Sequence, residues 1–388
     1  MTLRFLTAGE SHGPALVAVL EGLPAGLSLD VERINADMAR RQHGYGAGPR
    51  MKMETDQVQI LSGVMAGLTT GAPLALQVPN SDHARWKDKR ITALTTPRPG
   101  HADLAGAVKY GYNDLRPSLE RASARETAAR VAAGAVCRAY LAHFNIRVQG
   151  YVAAVGEVGA NLDPIPLDER FALSIQNEVN CPDAAAAELM RARIRRAMEE
   201  RDTLGGIIEV LAFGLPVGLG SFAQWDRKLD ARLGAALLSV QAIKGVEIGP
   251  AFENSRLPGT RAHDPITLDG DTLLRPTSRS GGLEAGMTTG QPLWLRAAMK
   301  PIPTTLKPQQ TVDLASGQPS ETRYERSDFC PVPRAVVVLE AMTCFVLADA
   351  LLEKLGGDSL AEQQPRFAAL RQARLSDLPM LGGEILFW

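Results

Sequence analysis

The sequence predicts an α/β protein, and three observations carry that prediction. Alternating or β-branched runs at 3–7, 15–20, 147–158 and 206–214 read as strands. Runs at 124–144 and 184–201, rich in alanine, read as helices, and an apolar run at 335–352 reads as a buried core helix. At 388 residues the chain can bury a full core, and no long linker, fixed-length repeat or low-complexity segment divides it.

The totals exclude several function classes. Lys and Arg number 42 against 43 Asp and Glu, a formal net charge of −1, so no nucleic-acid or anionic-membrane partner is expected and any basic site is local. Cys137, Cys181, Cys330 and Cys344 are far apart and form no CxxC pair, which points to neither a disulfide framework nor a zinc cluster; no metal is expected, and a reducing cytoplasm fits. The first twenty residues lack a charged start followed by an apolar run, so export is not expected. Glu340 and Asp349 interrupt the run at 335–352, which favours a core helix over a membrane span.

In chain order, the strands at 3–7 and 15–20 flank Gly9-Glu10-Ser11-His12-Gly13, whose bracketing glycines permit a sharp turn and close ligand approach. Imidazole ionises at about pH 6.5, so His12 can serve as an acid; a turn histidine is also commonly structural, and Ser11 beside it makes no triad. Asp30 has the place of an N-cap, with Val31, Ile34 and Met38 on one helical face, and that helix ends in Arg40-Arg41. The glycine-rich basic segment 42–50 is either a loop over an anionic ligand or a solvated linker; it is neither a Walker motif nor a GxGxxG turn. After a strand at 74–78, prolines stiffen Thr96-Pro97-Arg98-Pro99-Gly100-His101-Ala102-Asp103, where Asp103 either orients His101 or bonds the backbone of its own turn.

Residues 120–127 form the centre of the sequence argument. Ser123 and Glu126 have capping-box spacing, which predicts a helix from Ala124 to about Phe144. Arg125 then lies in the first turn, where the helix end disfavours a cation, with Arg121 just before it. Two guanidiniums converging there suit a phosphate or carboxylate; ion pairing with Glu120 and Glu126 is the alternative. Further on, Leu229, Leu233 and Leu237 mark a helix, 241–249 a tight helix-to-strand passage, and 280–287 a second glycine-rich loop. Lys300-Pro301-Ile302-Pro303-Thr304 is a proline-stiffened segment after a strand. In Arg326-Ser327-Asp328 the acid needs partial desolvation to act as a base and otherwise reads as a salt-bridge or helix-start residue.

Taken in order, the His12 loop, the Arg98–Asp103 turn, residues 120–127, Lys300–Thr304 and Arg326-Ser327-Asp328 resemble the chorismate synthase family, over residues 3 to about 360. The resemblance implies a layered sandwich with helices packed between β-sheets, one catalytic domain at 1–375 with a tail at 376–388, and a homotetramer. It implies a carbon–oxygen lyase that converts 5-enolpyruvylshikimate 3-phosphate to chorismate, with reduced FMN lending and recovering electron density. NADPH or a separate flavin reductase would supply the reduced flavin, and both sources stay open.

By this resemblance His12 matches the acid at the leaving phosphate, His101 the residue that protonates or holds reduced flavin, and Asp328 the group acting in hydrogen removal. Ser11, Arg41, Arg50, Arg98 and Arg125 match substrate-binding positions. Arg121, Ala122, Ser123, Gln241, Ala242, Ala285, Lys300, Pro301, Ile302, Pro303, Thr304 and Arg326 match flavin-contacting positions. Ala47 stands where the family usually has an arginine, and Ala285 where it usually has glycine. A non-enzymatic binder of a phosphorylated metabolite or flavin would need the arginines and glycines but not His12, His101 and Asp328. A flavin oxidoreductase would show net redox change with a nicotinamide donor.

Overall fold

The computed structural model describes residues 3–48, 55–323 and 327–387, and in it two antiparallel sheets enclose a layer of helices. The first half of the chain supplies β1 (Arg4–Ala8), β2 (Ala15–Glu21), α1 (Val31–Gln42), β3 (Gln59–Ser62), β4 (Leu74–Pro79), α2 (Asp103–Tyr110), α3 (Arg116–Arg121) and α4 (Thr127–His143). The second supplies β5 (Arg147–Val155), β6 (Val158–Gly159), α5 (Ala184–Glu199), β7 (Gly206–Phe213), α6 (Leu229–Leu238), β8 (Ile243–Ile248), β9 (Leu293–Met299), α7 (Val332–Leu355) and α8 (Leu360–Ala368).

One sheet has the order β1-β2-β4-β3, the other β8-β9-β7-β5-β6. In the first, Leu16, Ala18 and Leu20 of β2 and Leu74, Leu76 and Val78 of β4 are buried, with Leu16 opposite Val78 and Leu20 opposite Leu74. Val19 between them is exposed, so period-2 alternation gives this sheet one inner face, which rests on α4. In the second sheet β5 is buried along almost its whole length, because α7 packs on β5 and so does α5. Alternation disappears from its sequence for that reason.

Helices α4 and α7 meet directly in the middle layer. At Gly134 an added Cβ would lie 2.3 Å from Ala341 Cβ and 2.5 Å from Ala341 Cα, so only glycine allows the approach. Helix α7 is long and apolar enough to cross a bilayer but is a buried core helix. Its acid Glu340, fully buried, accepts from Arg40 (2.7 and 2.9 Å), Arg138 (2.7 Å) and Gly150 N (2.7 Å). Burial pushes its carboxyl up, but Arg40 and Arg138 outweigh burial and hold it below the usual range. This network ties α1, α4 and β5 to the core helix.

Local differences from the sequence expectations have local causes. The helix expected from 124 opens instead as a 3₁₀ turn, Ala124–Glu126, before α4. Ser123 Oγ accepts from Arg125 N at 3.2 Å, but Glu126 spends its carboxylate on Thr7 (2.7 Å), Arg130 (2.8 and 3.0 Å) and Gln241 (3.1 Å), so the capping box is half made. The strand expected over 147–158 turns at Gly156, which has φ +56°, and returns as β6. Beyond α8 the chain is tied to Asp271 through Ser376 (3.0 and 2.5 Å), while Met380, Leu381, Ile385, Leu386 and Phe387 are exposed.

Candidate active site

A cavity of about 580 Å³ opens where the loop after β1, the turn before α2, the start of α4 and the segment before α7 come together. Ser11, His12, Arg41, Arg98, His101, Ala122, Ser123, Arg125, Gln241, Ala242, Lys300, Ile302, Pro303, Thr304 and Asp328 all line it. A larger cavity of about 930 Å³ borders residues 42–48 and 175–180 but contains neither His12, His101 nor Asp328, so the chemistry is assigned to the smaller one.

The His12 loop is shaped by Gly9, at φ +105°, where an added Cβ would lie 2.4 Å from Ala15 O. Glu120, at the end of α3, takes the backbone N–H of His12 on Oε2 (2.8 Å) and its ring Nδ1 on Oε1 (2.7 Å). The Trp86 ring lies 4.5 Å from the His12 ring, centroid to centroid. Burial raises the Glu120 carboxyl, yet the hydrogen bonds from His12 prevail and hold it below the usual range. Nδ1 is committed to a carboxylate, and the His12 side chain lines the cavity.

His101 repeats the arrangement. Its Nδ1 lies 2.5 Å from Oδ1 of the fully buried Asp103, whose Oδ2 accepts from the Arg98 backbone N–H at 3.0 Å. Both sequence-level options for Asp103 are therefore realised at once. Arg98 also clamps this carboxylate through Nε (2.8 Å) and Nη2 (3.0 Å), and Nη1 donates to Thr304 Oγ1 (3.2 Å). Nη2 lies 3.0 Å from His101 Nδ1 as well, but a nitrogen donating to Asp103 cannot accept from arginine, so the carboxylate contact decides the tautomer. Burial raises the Asp103 carboxyl, but the bonds from His101 and Arg98 outweigh it and hold the group far below the carboxylate range.

The two arginines expected to converge do not. Arg125 is 5% exposed and turns inward, with Nη1 2.5 Å from Asp56 Oδ2 and Nε 2.9 Å from Asn80 Oδ1. Arg121 is exposed and donates to the Thr7 carbonyl and hydroxyl, both at 3.0 Å, outside the cavity. Arg41 joins Arg125 instead, reaching Asp56 (3.2 Å), Thr127 Oγ1 (2.9 Å) and Ala124 O (3.2 Å). Asn80 Nδ2 donates to Gly13 O at 2.8 Å, which links Arg125 to the His12 loop. Ser123 Oγ and Ser11 Oγ, 3.2 Å apart, make a second link.

Asp328 accepts from Gly48 N at 2.7 Å and pairs closely with Arg334, whose Nε donates to Arg41 O at 2.8 Å. Its side chain is 17% exposed. Lys300 Nζ donates to Gly100 O at 2.9 Å, docking the Lys300–Thr304 segment on the histidine turn. Gln241 Nε2 donates to Glu126, and its buried Oε1 has no hydrogen-bond partner among the described residues. Ala242 holds a left-handed φ of +67°, a strain of roughly 1–2 kcal/mol, pinned by Lys300 N donating to its carbonyl at 2.9 Å.

Pro301 is exposed beside the cavity without lining it. Ala285 also lies outside, in a hairpin turn at φ +50°, where glycine is favoured. Gly286 O accepts from Leu229 N at 2.8 Å, which places that turn at the start of α6, roughly 15 Å from the Gln241 end of the helix. Arg50 and Arg326 lie outside the described residues. The sequence expectations missed Asp56, Asn80, Trp86 and Arg334 and read Glu120 only as an arginine partner. Asp56 and Asn80 carry no spacing signal, because their contacts to Arg125 span 69 and 45 residues, while Arg334 lies six residues from its partner Asp328.

The family model described as chorismate synthase matches residues 3–352. A chorismate synthase of Trichlorobacter lovleyi is 52% identical over 377 residues, covering 93% of this chain and 96% of that protein. One of Geobacter sulfurreducens is 51% identical with the same coverage. A solved structure, "Crystal Structure of Chorismate Synthase", superposes with a TM-score of 0.79 at 42% identity, covering 95% of this chain and 97% of that one.

Proposed function

The chain belongs to the chorismate synthase family of lyases, and on that premise we propose that it performs the anti-1,4-elimination of phosphate from 5-enolpyruvylshikimate 3-phosphate, giving chorismate with reduced FMN not consumed. The observation that carries the reading is a single cavity containing two histidines, each fixed through Nδ1 by a carboxylate, two buried arginines and a partly desolvated aspartate.

The cavity residues suit a flavin. The unpartnered Gln241 Oε1 fits a ring N–H donor, and about 580 Å³ lies within the range of roughly 300–1,000 Å³ typical of small-molecule sites. Gln241, Ala242, Ala122, Ser123, Lys300, Ile302, Pro303 and Thr304 would hold it. Bound reduced FMN supplies electron density to a C–O bond that is otherwise slow to break. Arg41 and Arg125 hold the departing phosphate and stabilise its charge. As the imidazolium, with its Nδ1 proton held by Glu120, His12 delivers its Nε2 proton to that phosphate and becomes neutral. His101, oriented by Asp103 through Nδ1, would hold a second proton on its other ring nitrogen only as the imidazolium. Asp328, held by Arg334 and Gly48 N, takes up the proton derived from the ring hydrogen.

Ala285 does not line this chain's cavity, and in a homotetramer a flavin contact at Ala285 would be to the cavity of another copy. The four free cysteines, all buried, accord with a cytoplasmic location. The test is anaerobic turnover of the pure protein with chemically reduced FMN, following phosphate release and chorismate absorbance. Turnover without net oxidation is expected; full activity with oxidised FMN and no reductant would overturn the proposal. Repeating the assay with oxidised FMN and NADPH separates a chain that reduces its own flavin from one served by a reductase.

A further inference from the structure

Asp56 lies among the most buried acids near the cavity, and it touches both arginines of the proposed phosphate site. Its side chain is 2% exposed, and a single oxygen, Oδ2, lies 2.5 Å from Arg125 Nη1 and 3.2 Å from Arg41 Nη1. The arginine side chains are themselves 3% and 4% exposed. Both arginines line the cavity and Asp56 does not, so the carboxylate backs the pair on the side away from the ligand space. Its own backbone is fixed, because Asp56 N donates to Gln42 Oε1 at 2.9 Å, one residue beyond Arg41. Asn80 on Arg125 Nε and Thr127 on Arg41 Nε complete a frame that leaves each guanidinium little freedom.

Two guanidiniums this close repel each other strongly where water is excluded. A shared carboxylate offsets that repulsion and lowers the positive charge that the pair presents to a phosphate, which carries up to two negative ones. We propose that Asp56 is the positioning residue of this anion site: it aims Arg41 and Arg125 at one phosphoryl group and lowers the site's charge enough for product phosphate to leave. The proposal rests on the reading that the cavity takes a phosphorylated substrate. A carboxylate behind the clamp weakens ground-state anion binding while keeping the fork geometry that the departing phosphate needs. A purely structural counter-charge would steady the fold and leave kcat unchanged in a variant that keeps the charge.

The experiment measures inorganic phosphate binding by calorimetry, together with steady-state turnover, for wild type, Asp56→Asn and Asp56→Glu. Wild type should bind phosphate in competition with substrate and lose it in Arg125→Ala; failure of that control refutes the phosphate-site reading itself. Given the control, Asp56→Asn should bind phosphate about tenfold more tightly, because a negative charge near the anion is gone. Its kcat should fall by roughly tenfold or more, with KM unchanged or lower. Asp56→Glu keeps the charge but moves it by one methylene, so phosphate affinity should stay within about threefold of wild type while kcat falls. Unchanged or weaker phosphate binding in Asp56→Asn overturns the charge-setting role. Should Asp56→Asn not fold, wild-type kcat in Asp56→Glu overturns the positioning role.

Discussion

Glu120 engages His12 with both carboxylate oxygens, one on the ring Nδ1 at 2.7 Å and one on the backbone N–H at 2.8 Å, across 108 residues of sequence. The loop and the ring are thus oriented by one group, which makes Glu120 the positioning residue of the proposed acid. A glutamine has the same size but only one acceptor oxygen, so it cannot serve both donors. Glu120→Gln should lower kcat by about 10- to 100-fold with KM within about threefold. Wild-type kcat in the variant would show that His12 is held in place by Trp86 and the loop alone.

Asp328 offers the sharpest separation of an enzyme from a binding protein. Asp328→Asn retains size and can still accept from Gly48 N, but it cannot take up a proton in the same way. Substrate affinity should be nearly intact while kcat falls by roughly a hundredfold or more. If turnover under saturating reduced FMN equals wild type, the contact with Arg334 is better described as a structural ion pair.

Asp103 predicts an acid limit to stability. Its folded pKa lies far below the unfolded value of about 3.9, so the unfolded chain binds the proton more readily between the two. The stabilisation is therefore complete above about pH 4–5 and is lost as pH falls through the carboxylate range. Glu120 and Glu126 are shifted in the same direction and add to the slope. Urea unfolding from pH 6 to pH 3 should show a shallower pH dependence in Asp103→Asn than in wild type. Equal slopes would mean that the His101–Asp103–Arg98 cluster contributes nothing to acid sensitivity.

Two glycines in helices should respond with opposite sign to the same substitution. Gly134→Ala forces α4 away from Ala341 and should destabilise by about 1–3 kcal/mol, the usual cost of overpacking. At Gly234 in α6 an added Cβ would meet nothing within 4 Å among the described residues beyond its own helix backbone and chain neighbours, so Gly234→Ala should stabilise by about 0.5–1 kcal/mol through helix propensity. Denaturant unfolding measures both; a loss at Gly234 or none at Gly134 contradicts the helix contact described.

What the amino-acid sequence determined by itself is whatever short-range periodicity and local chemistry decide. The alternation at Leu16, Ala18 and Leu20, the Asp30 cap of α1, where Oδ1 accepts from Glu32 N at 2.9 Å, and the apolar run of α7 each follow from neighbours within one or two turns. The Asp103–His101 contact was one of two options the sequence left open, because a single residue separates the partners within one stiffened turn. By family resemblance the motifs also assigned His12, His101, Arg125 and Asp328 to one site, and all four line one cavity. Tertiary structure alone decided which partners these groups hold. Asp56 meets Arg125 across 69 residues and Glu120 meets His12 across 108, and no spacing rule selects either acid from the 43 in the chain. Arg121 and Arg125 part company for the same reason: a 3₁₀ turn sends one side chain into the helix layer and leaves the other against Thr7. Burial between the two sheets selected these pairings, since a charge taken from water must find its counter-charge among whatever the packed elements bring within reach.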